Sequence, residues 1–369
     1  MNQLNLPNII AEQQQTGLQN ESYQEDLKQQ NLWGFGQSQE NNVFKKNDFQ
    51  STINFELVLQ YYIGENCYAM DFDTSLSLII IGDRNGFIQL FKFQSNKLKK
   101  QKIVKGHRQV ICIVVLKHSN QFISSGDKII KIWSFQGTYL RHLQYLSGHS
   151  RPVRCILVSH HEDLIVSGGN DCYIKFWIRK DNICNFDQQL LEHENWICGM
   201  SLNESQNQLI STAWEEPLIK ISQQQPCKTW IVIQTIQIDI WGARICFLNN
   251  EMFSFQPFNG QSMQLYQFQS QSKVYTISKT LDVQQSKLGC TNLFPSQFIK
   301  EKQILVKKNG QCVNIISIKN NNDCILQQQL EFDHYCVNGS ISHDGQYLIT
   351  WDLSSSQIQI RQLLNYQKK

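Results

Sequence analysis

Serine, histidine and aspartate, the side chains of a hydrolase triad, occur together twice in this chain. The two sets have nearly the same spacing: His107, Ser124 and Asp127, followed by His149, Ser167 and Asp171. A triad needs one exposed nucleophile beside an oxyanion hole. A set that recurs in consecutive segments predicts instead a structural clasp, in which buried polar groups satisfy one another's hydrogen bonds.

Other candidates for chemistry are weaker. The run from His160 to Asp163 lies between two predicted strands and is typical of a solvated turn rather than a metal site. Lys300–Lys302 and Lys307–Lys308 are interpreted as solvated surface. Neither GxxxxGK[ST] nor GxGxxG, the phosphate-binding loops, occurs in the sequence. We therefore predict no enzymatic activity, no cofactor and no metal site.

The twelve cysteines do not form a CxxC pair, so the spacing of a zinc site is absent. Six of them recur at similar intervals instead: Cys112, Cys155, Cys198, Cys246, Cys290 and Cys336. A cysteine that repeats at a structural period is typical of a small buried apolar group. Reduced thiols, and an N-terminus without the basic start and apolar core of a secretory signal, favour an intracellular compartment. We expect the cytoplasm first and leave the nucleus open.

Composition excludes several classes of protein. Hydrophobic residues make up 41% of the 369 residues, which is enough for a sizeable core, and the net charge is only +3. That charge is spread along the chain and argues against a nucleic-acid-binding domain. No stretch approaches the roughly 18 apolar residues of a membrane-spanning helix. We therefore expect protein partners, with no nucleic acid and no membrane among them.

The first 50 residues differ in texture from the rest. Residues 1–50 hold Gln- and Asn-rich runs without hydrophobic periodicity and are predicted to be a disordered tail. Within them, Leu32–Gly36 is an aromatic island, either a segment that packs loosely on the domain or a short motif for a partner. Glutamine is also frequent beyond the tail, which we interpret as a habit of the genome rather than a functional signal. Residues 51–369 are predicted to form one repeat domain.

Two segments of this domain are clear internal repeats. Gly106–Trp133 and Gly148–Trp177 each begin Gly-His, continue through an alternating strand and a Ser-Gly strand, and end in Trp. Their terminal Trp residues are 44 positions apart. Weaker copies make seven units, at 67–91, 106–133, 148–177, 192–221, 241–268, 287–316 and 335–360. The common period of the seven units indicates that each is one copy of the same structural unit.

Each unit supplies three strands, and a fourth strand follows it in the sequence. The seventh unit runs out of chain before its fourth strand. The segment 55–62, Phe-Glu-Leu-Val-Leu-Gln-Tyr-Tyr, precedes the first unit and has no other partner. Its pairing with the last unit would close a ring and protect both edges.

These repeats resemble the WD-repeat (WD40) β-propeller family, most specifically in the second and third units. The resemblance covers roughly residues 55–365 and implies an all-β fold, a seven-bladed propeller of four-stranded antiparallel blades. No unit ends in the literal Trp-Asp pair, since Trp133 precedes Ser134 and Trp177 precedes Ile178.

The family's blades contain a buried tetrad of His, Ser or Thr, Asp and Trp. The resemblance implies that the two repeated sets gain Trp133 and Trp177 as fourth members. The resulting tetrads are His107, Ser124, Asp127 and Trp133, and His149, Ser167, Asp171 and Trp177. In unit four the matching residues are His193, Ser211 and Glu215, with Ile221 in place of Trp.

Family members mostly serve as docking platforms, and their partners often contact the narrow top face. In unit three the exposed positions of that face are Pro152, Arg154 and Asn170, and in unit seven they are Tyr335 and Val337. The predicted partner-binding residues on this face are Trp196, Trp214, Trp241, Arg154, Tyr68 and Tyr335. An alternative for Trp196 and Trp241 is that they turn inward and pack between blades.

The sequence thus favours a non-catalytic protein–protein interaction scaffold, monomeric within a larger hetero-complex. The alternative is a module that recognises a peptide or a modified side chain, such as a ubiquitin-ligase substrate receptor. Such receptors carry a motif ending Trp-Asp-x-Arg, whereas Trp177 is followed by Ile178, Arg179 and Lys180. An enzyme would require a funnel lined by paired carboxylates or histidines, and no sequence feature predicts one.

Overall fold

The computed structural model describes residues 53–364 except 138, 259, 284–293 and 320–322. The predicted tail with Leu32–Gly36 lies outside these described residues, as does Cys290. The described part is built of strands, and one 3-10 turn occurs at Lys300–Lys302.

The strands alternate with short turns throughout the domain. In chain order they are β1 (Phe55–Tyr62), β2 (Cys67–Phe72), β3 (Leu78–Asp83), β4 (Phe87–Gln94), β5 (Lys97–Lys105), β6 (Cys112–Val115), β7 (Gln121–Ser125), β8 (Ile129–Gln136), β9 (Tyr139–Ser147), β10 (Val153–Val158), β11 (Leu164–Gly169), β12 (Ile174–Lys180), β13 (Ile183–Leu190), β14 (Ile197–Leu202), β15 (Gln208–Ala213), β16 (Leu218–Gln224), β17 (Trp230–Gln237), β18 (Arg244–Phe247), β19 (Met252–Gln256), β20 (Ser262–Gln269), β21 (Val274–Asp282), β22 (Gln297–Ile299), β23 (Ile304–Asn309), β24 (Cys312–Ile318), β25 (Cys324–Glu331), β26 (Val337–Ile341), β27 (Tyr347–Asp352) and β28 (Gln357–Leu363).

These strands form seven four-stranded antiparallel sheets, which are the blades of a propeller. Blades one to six are β2–β5, β6–β9, β10–β13, β14–β17, β18–β21 and β22–β25, each in sequence order from the inner to the outer strand. Blade seven has the order β26, β27, β28 and β1. The predicted fold class, a seven-bladed propeller of four-stranded blades, is therefore confirmed.

The ring closes where the sequence predicted. Strand β1 pairs antiparallel with β28, from Phe55 opposite Leu363 to Tyr62 opposite Gln357. The outer strand of blade seven thus comes from the N-terminal end of the domain and its three inner strands from the C-terminal end. This pairing supplies the fourth strand that the seventh unit lacks.

The hydrophobic core consists of seven clusters, each spanning two adjacent blades. Between blades two and three, for example, Ile123 and Ile132 pack with Ile156, Ile165 and Trp177. A single blade cannot bury both faces of its sheet, so every blade depends on its neighbours for stability.

Glutamine side chains join the outer strands of neighbouring blades. The Gln188 amide on β13 donates to the Trp230 carbonyl (2.6 Å) and accepts from the Trp230 N–H (2.7 Å). The same pair of bonds links Gln144 to Cys184, Gln234 to Tyr275 and Gln328 to Phe55. We call each pair a glutamine clasp. These four glutamines therefore have a structural role, which was not expected when the frequency of glutamine was interpreted as a property of the genome.

The five periodic cysteines that the structure describes lie on the inner strands or directly before them. Burial raises the pKa of Cys112 and Cys198 to about 12 and that of Cys246 to about 11. These thiols are therefore protonated near neutral pH and poor nucleophiles. The described cysteines are free thiols.

Candidate functional site

The repeated Ser-His-Asp sets form hydrogen-bonded chains inside blades two and three. In blade three, His149 Nδ1 lies 2.9 Å from Asp171 Oδ1, and His149 Nε2 lies 2.8 Å from Ser167 Oγ. The Trp177 indole N–H donates to the same Ser167 oxygen at 2.9 Å. A neutral imidazole with its proton on Nδ1 satisfies every one of these groups.

Blade two repeats the arrangement. The His107 ring lies 3.2 Å from Asp127 Oδ2 and 2.8 Å from Ser124 Oγ, which also accepts from the Trp133 indole at 2.8 Å. Ser124 and Ser167 are both 0% exposed. No substrate can reach either hydroxyl in this state, so the geometry is that of a buried clasp.

The carboxylate of each tetrad also caps the loop that follows its histidine. Asp171 accepts from the Ser150 N–H at 2.8 Å as well as from His149. Burial tends to raise the pKa of Asp171, but these hydrogen bonds outweigh it and hold the pKa below its ordinary value. The carboxylate therefore stays ionised in the folded blade.

Blade four corrects two sequence assignments. His193 Nδ1 bonds to Glu216 (3.0 Å), not to the predicted Glu215, while its Nε2 lies 2.8 Å from Ser211 Oγ. Glu215 is exposed and adopts a positive φ of 51°, which turns its side chain away. The register shift of the outer strand falls between Phe176 and Trp177 in blade three and between Ile221 and Ser222 in blade four. Ser222, rather than Ile221, is therefore the equivalent of Trp177.

Blade seven uses a different pair at the same place. Arg361 of β28 follows the step that lies opposite the bulge in β1, and its guanidinium donates to Thr350 Oγ1 at 3.1 Å. Arg361 thus replaces the tryptophan of the tetrad, and Thr350 replaces the serine. Residue types alone did not predict this substitution, because an arginine is not expected inside a blade.

The three predicted partner-binding tryptophans lie close together. Trp214 lies 6.3 Å from Trp196 and 4.5 Å from Trp241, measured between ring centroids. Trp241 stacks on Phe258 at 4.4 Å, and the Arg154 guanidinium lies 5.4 Å from the Trp196 ring. We call this row of five side chains, Arg154, Trp196, Trp214, Trp241 and Phe258, the aromatic surface.

The backbone places these side chains at equivalent positions of neighbouring blades. The Trp214 N–H donates to the Trp196 carbonyl at 2.8 Å, and the Phe258 N–H donates to the Trp241 carbonyl at 2.6 Å. Asn170 and Pro152 make the same bond in blade three. Phe258 therefore occupies in blade five the turn position that Trp214 has in blade four. Sequence reasoning missed Phe258 because unit five lacks the Gly-His and Trp that fix the register.

All four rings are half-buried, and none belongs to the hydrophobic core. Trp196 and Trp241 therefore contact other aromatic rings between the blade tops rather than turning into the interior. Each of the three tryptophans has an exposed carboxylate within two residues of it in the sequence. Glu194 precedes Trp196 by two residues, Glu215 directly follows Trp214, and Asp239 precedes Trp241 by two residues. Arg154, held by a 2.8 Å bond from its Nε to Asn170, lies at the other end.

Tyr68 and Tyr335 lie on other blades. Tyr68 is half-buried on β2, two residues after Asn66. The Asn66 carbonyl accepts a hydrogen bond from the Arg84 N–H, which is equivalent to the bond between Trp214 and Trp196. In blade seven the Leu353 N–H donates to Cys336, so the register is one residue later than predicted. Val337 consequently faces the core, at 0% exposure, and Tyr335 lies in the preceding loop, stacked on His334.

Two lysines that were interpreted as solvated surface are buried. Lys307 is 1% exposed and Lys308 0%, and Lys307 Nζ donates to Ser254 Oγ at 3.1 Å. Burial lowers the pKa of Lys307 to about 7. The predicted solvated turn is exposed at His160, His161 and Asp163, whereas Glu162 is buried and forms an ion pair with Arg179 at 3.2 Å. Lys307 and Glu162 are buried because they face neighbouring blades, which a single repeat does not reveal.

Within residues 53–364 as described, no cluster of His, Cys, Asp and Glu has the arrangement that binds a metal ion. The same part of the chain contains no helix of the length and apolarity that a membrane crossing needs.

The seven four-stranded blades, two of which contain a His-Ser-Trp chain, define a seven-bladed β-propeller. The family model for the WD domain, G-beta repeat, matches residues 98–134 and 140–177. These segments span the inner three strands of blades two and three, each with the outer strand before it. WD repeats therefore occur in blades two and three of this seven-bladed propeller. No curated protein matches it.

Proposed function

We propose that this protein is a non-catalytic scaffold that docks another protein or peptide on its aromatic surface. The observation that supports the proposal is the continuous row of Trp196, Trp214, Trp241 and Phe258 across blades four and five. Tryptophan and arginine are the commonest anchors of protein interfaces. Half-exposed clusters of large apolar rings usually mark interaction sites.

The hydroxyls of Ser124 and Ser167 are buried, which supports a structural rather than a catalytic role for these two serines. WD-repeat propellers generally bind proteins or peptides. The rigid blades fix the four rings, so a partner would lose little of its binding energy to ordering this surface.

The test is affinity purification of tagged wild-type protein with mass spectrometry, followed by the variants Trp196→Ala, Trp214→Ala and Trp241→Ala. Each anchor should cost at least about 2 kcal/mol of binding, while stability should change by about 1 kcal/mol or less because the rings are only half-buried. Tyr139→Ala is the matched control, because Tyr139 is an aromatic side chain 68% exposed on the outer strand of blade two. Partner recovery that is unchanged in all three Trp variants would refute the docking site.

A second candidate is recognition of a cationic side chain, such as a methylated lysine, on the same surface. The Arg154 guanidinium over the Trp196 ring is a cation–π contact of the kind that such a ligand would make, and Glu194, Glu215 and Asp239 provide negative charge nearby; both features support this candidate. Peptides bearing lysine, trimethyllysine or acetyllysine distinguish the candidates. Preferential binding of trimethyllysine supports side-chain recognition, whereas equal binding of all three peptides contradicts it.

The ubiquitin-ligase receptor remains the most specific form of the recognition proposal. Ile178 stands where the motif has an acidic residue, and its side chain is 39% exposed. Co-purification of a ligase adaptor would support that form, and an Ile178→Asp variant should then bind the adaptor more tightly. If wild type and variant both recover no adaptor, the receptor form is wrong.

A further inference from the structure

The outer hairpin of blade one carries the most concentrated positive charge among the described residues. The stretch Lys92–Lys105 contains six lysines and no acidic residue: Lys92, Lys97, Lys99, Lys100, Lys102 and Lys105. All six are exposed, five of them on the outer strand β5. The positive charge is therefore concentrated on this hairpin, contrary to the even distribution expected from the sequence.

Edge protection does not explain these lysines. Charged side chains commonly prevent outer strands from pairing with other molecules, but the other six outer strands do without such a run. Strands β1, β13, β17 and β25 contain no lysine or arginine, β9 contains Arg141, and β21 contains Lys279. Lys279 is in turn paired with Asp323 on the neighbouring blade.

The backbone of β5 is also open where most other outer strands are clasped. In blades three, four, five and seven, a glutamine of the preceding blade binds the N–H and C=O near the start of the outer strand. The strand registers make Leu98 the equivalent of Cys184, the clasped residue of blade three. Leu59 of blade seven occupies the position that the glutamine has in each of the four clasps.

Leucine cannot make the two hydrogen bonds of a clasp. Leu59 and Leu98 instead pack against the same hydrophobic cluster. No hydrogen bond from blade seven reaches Leu98 within the described part of the chain. By its register, the N–H and C=O of Leu98 face outward, because β5 pairs on one side only, with β4.

We propose that β5 is a second docking site, separate from the aromatic surface, which binds an extended acidic polypeptide segment as an added strand. The open backbone at Leu98 would pair with the segment, and the lysines would meet its carboxylates. Strand addition to an open edge is a recurring mode of peptide recognition. Nucleic acid and anionic membranes can use the lysines, but neither can pair with the strand backbone, so the open edge favours a polypeptide.

Binding is measured with a labelled peptide of about ten alternating Glu and Val residues, close to the length of β5. The matched probes are the same peptide with Gln in place of Glu, an oligothymidine and phosphatidylserine vesicles. The Glu peptide should bind the full-length protein more tightly than the Gln peptide, and its affinity should fall with salt. An oligothymidine or vesicle that binds when the Glu peptide does not would overturn the proposal.

Two sets of variants separate charge from strand pairing. Replacing Lys97, Lys99 and Lys102 by Gln should weaken peptide binding about tenfold. The control replaces Lys128, Lys180 and Lys228, exposed lysines of other blades, and should leave binding unchanged. Leu59→Gln restores the clasping residue without touching a lysine and should weaken binding severalfold. Unchanged affinity in Leu59→Gln means simple charge attraction and refutes strand addition.

Hydrogen exchange on the wild-type protein gives an independent measurement if Leu59→Gln folds poorly. Strand addition should slow exchange of the Leu98 amide when the acidic peptide is present, whereas the Cys184 amide, already clasped, should not change. Peptide binding without added protection at Leu98 would overturn the proposal. Because the Trp196, Trp214 and Trp241 variants leave β5 intact, they should bind the acidic peptide normally, which keeps this test separate from that of the aromatic surface.

Discussion

The side-chain amide of Gln234 on blade four makes two hydrogen bonds with the backbone of Tyr275 on blade five. Its Nε2 donates to the Tyr275 carbonyl at 2.9 Å, and its Oε1 accepts from the Tyr275 N–H at 2.8 Å. The amide therefore imitates one step of a β-ladder between two sheets that do not otherwise pair. The clasp fixes the spacing of the outer strands and occupies polar groups of an exposed edge.

Removing this clasp should destabilise the propeller. Gln234→Leu leaves the Tyr275 N–H and C=O without their partners, so we expect a loss of about 1–2 kcal/mol in the free energy of unfolding. Gln237→Leu is the control, because Gln237 is an exposed glutamine on the same strand. Chemical denaturation of both variants measures the difference. Equal stability of the two would show that the clasp contributes nothing.

The tetrad of blade three should behave as one coupled network. His149→Ala and Asp171→Ala each leave buried hydrogen-bonding groups unpaired, at a cost of about 1–3 kcal/mol. Since the two residues share one bond, the double variant should lose less than the sum of the single losses. A double-mutant cycle measured by denaturation gives the coupling. Strictly additive losses would contradict a shared network, even though the side chains lie within bonding distance.

The fold was predictable because its signal is local and repeated. Gly-His openings and terminal Trp residues in units two and three set the period, and the orphan segment 55–62 identified the closing strand. Two tetrad positions of unit four were assigned to the wrong residues, because the predicted register was off by one residue there. The choice between Glu215 and Glu216 depends on a positive φ in the turn, which the pattern of residue types does not reveal.

The aromatic surface was predictable in part for the same reason. Trp196 and Trp214 follow from a well-defined register, whereas Phe258 depends on unit five, whose tetrad position carries Phe255 instead of Ser. The glutamine clasps, the buried Lys307 and the open edge at Leu98 all involve two blades. Contacts between repeats were not visible in a comparison of one repeat with the next.

Closure of the ring should dominate the effect of N-terminal truncation. Deleting residues 1–64 removes β1, and with it the Phe55 backbone that Gln328 clasps and the pairing with β28. Deleting residues 1–50 leaves these contacts intact. We expect the first truncation to lower the melting temperature far more than the second, as measured by circular dichroism. Coincident melting curves would mean that β1 does not close the ring.

Lys307 should make stability rise with pH just above neutrality. Its pKa is about 7 in the folded state because burial disfavours the ammonium, against 10.5 for an ordinary lysine. Between these values the unfolded chain binds more protons than the folded one, so the free energy of unfolding increases with pH, by at most about 1.4 kcal/mol per pH unit. Lys307→Met abolishes this contribution, so the stability curves of variant and wild type should differ in slope from pH 7 to pH 8.5. The cysteines contribute equally to both curves, because the two proteins share them. Lys128→Met, at an exposed lysine, is the control and should follow the wild type. Parallel curves for Lys307→Met and wild type would show that the buried amine keeps its proton through another partner.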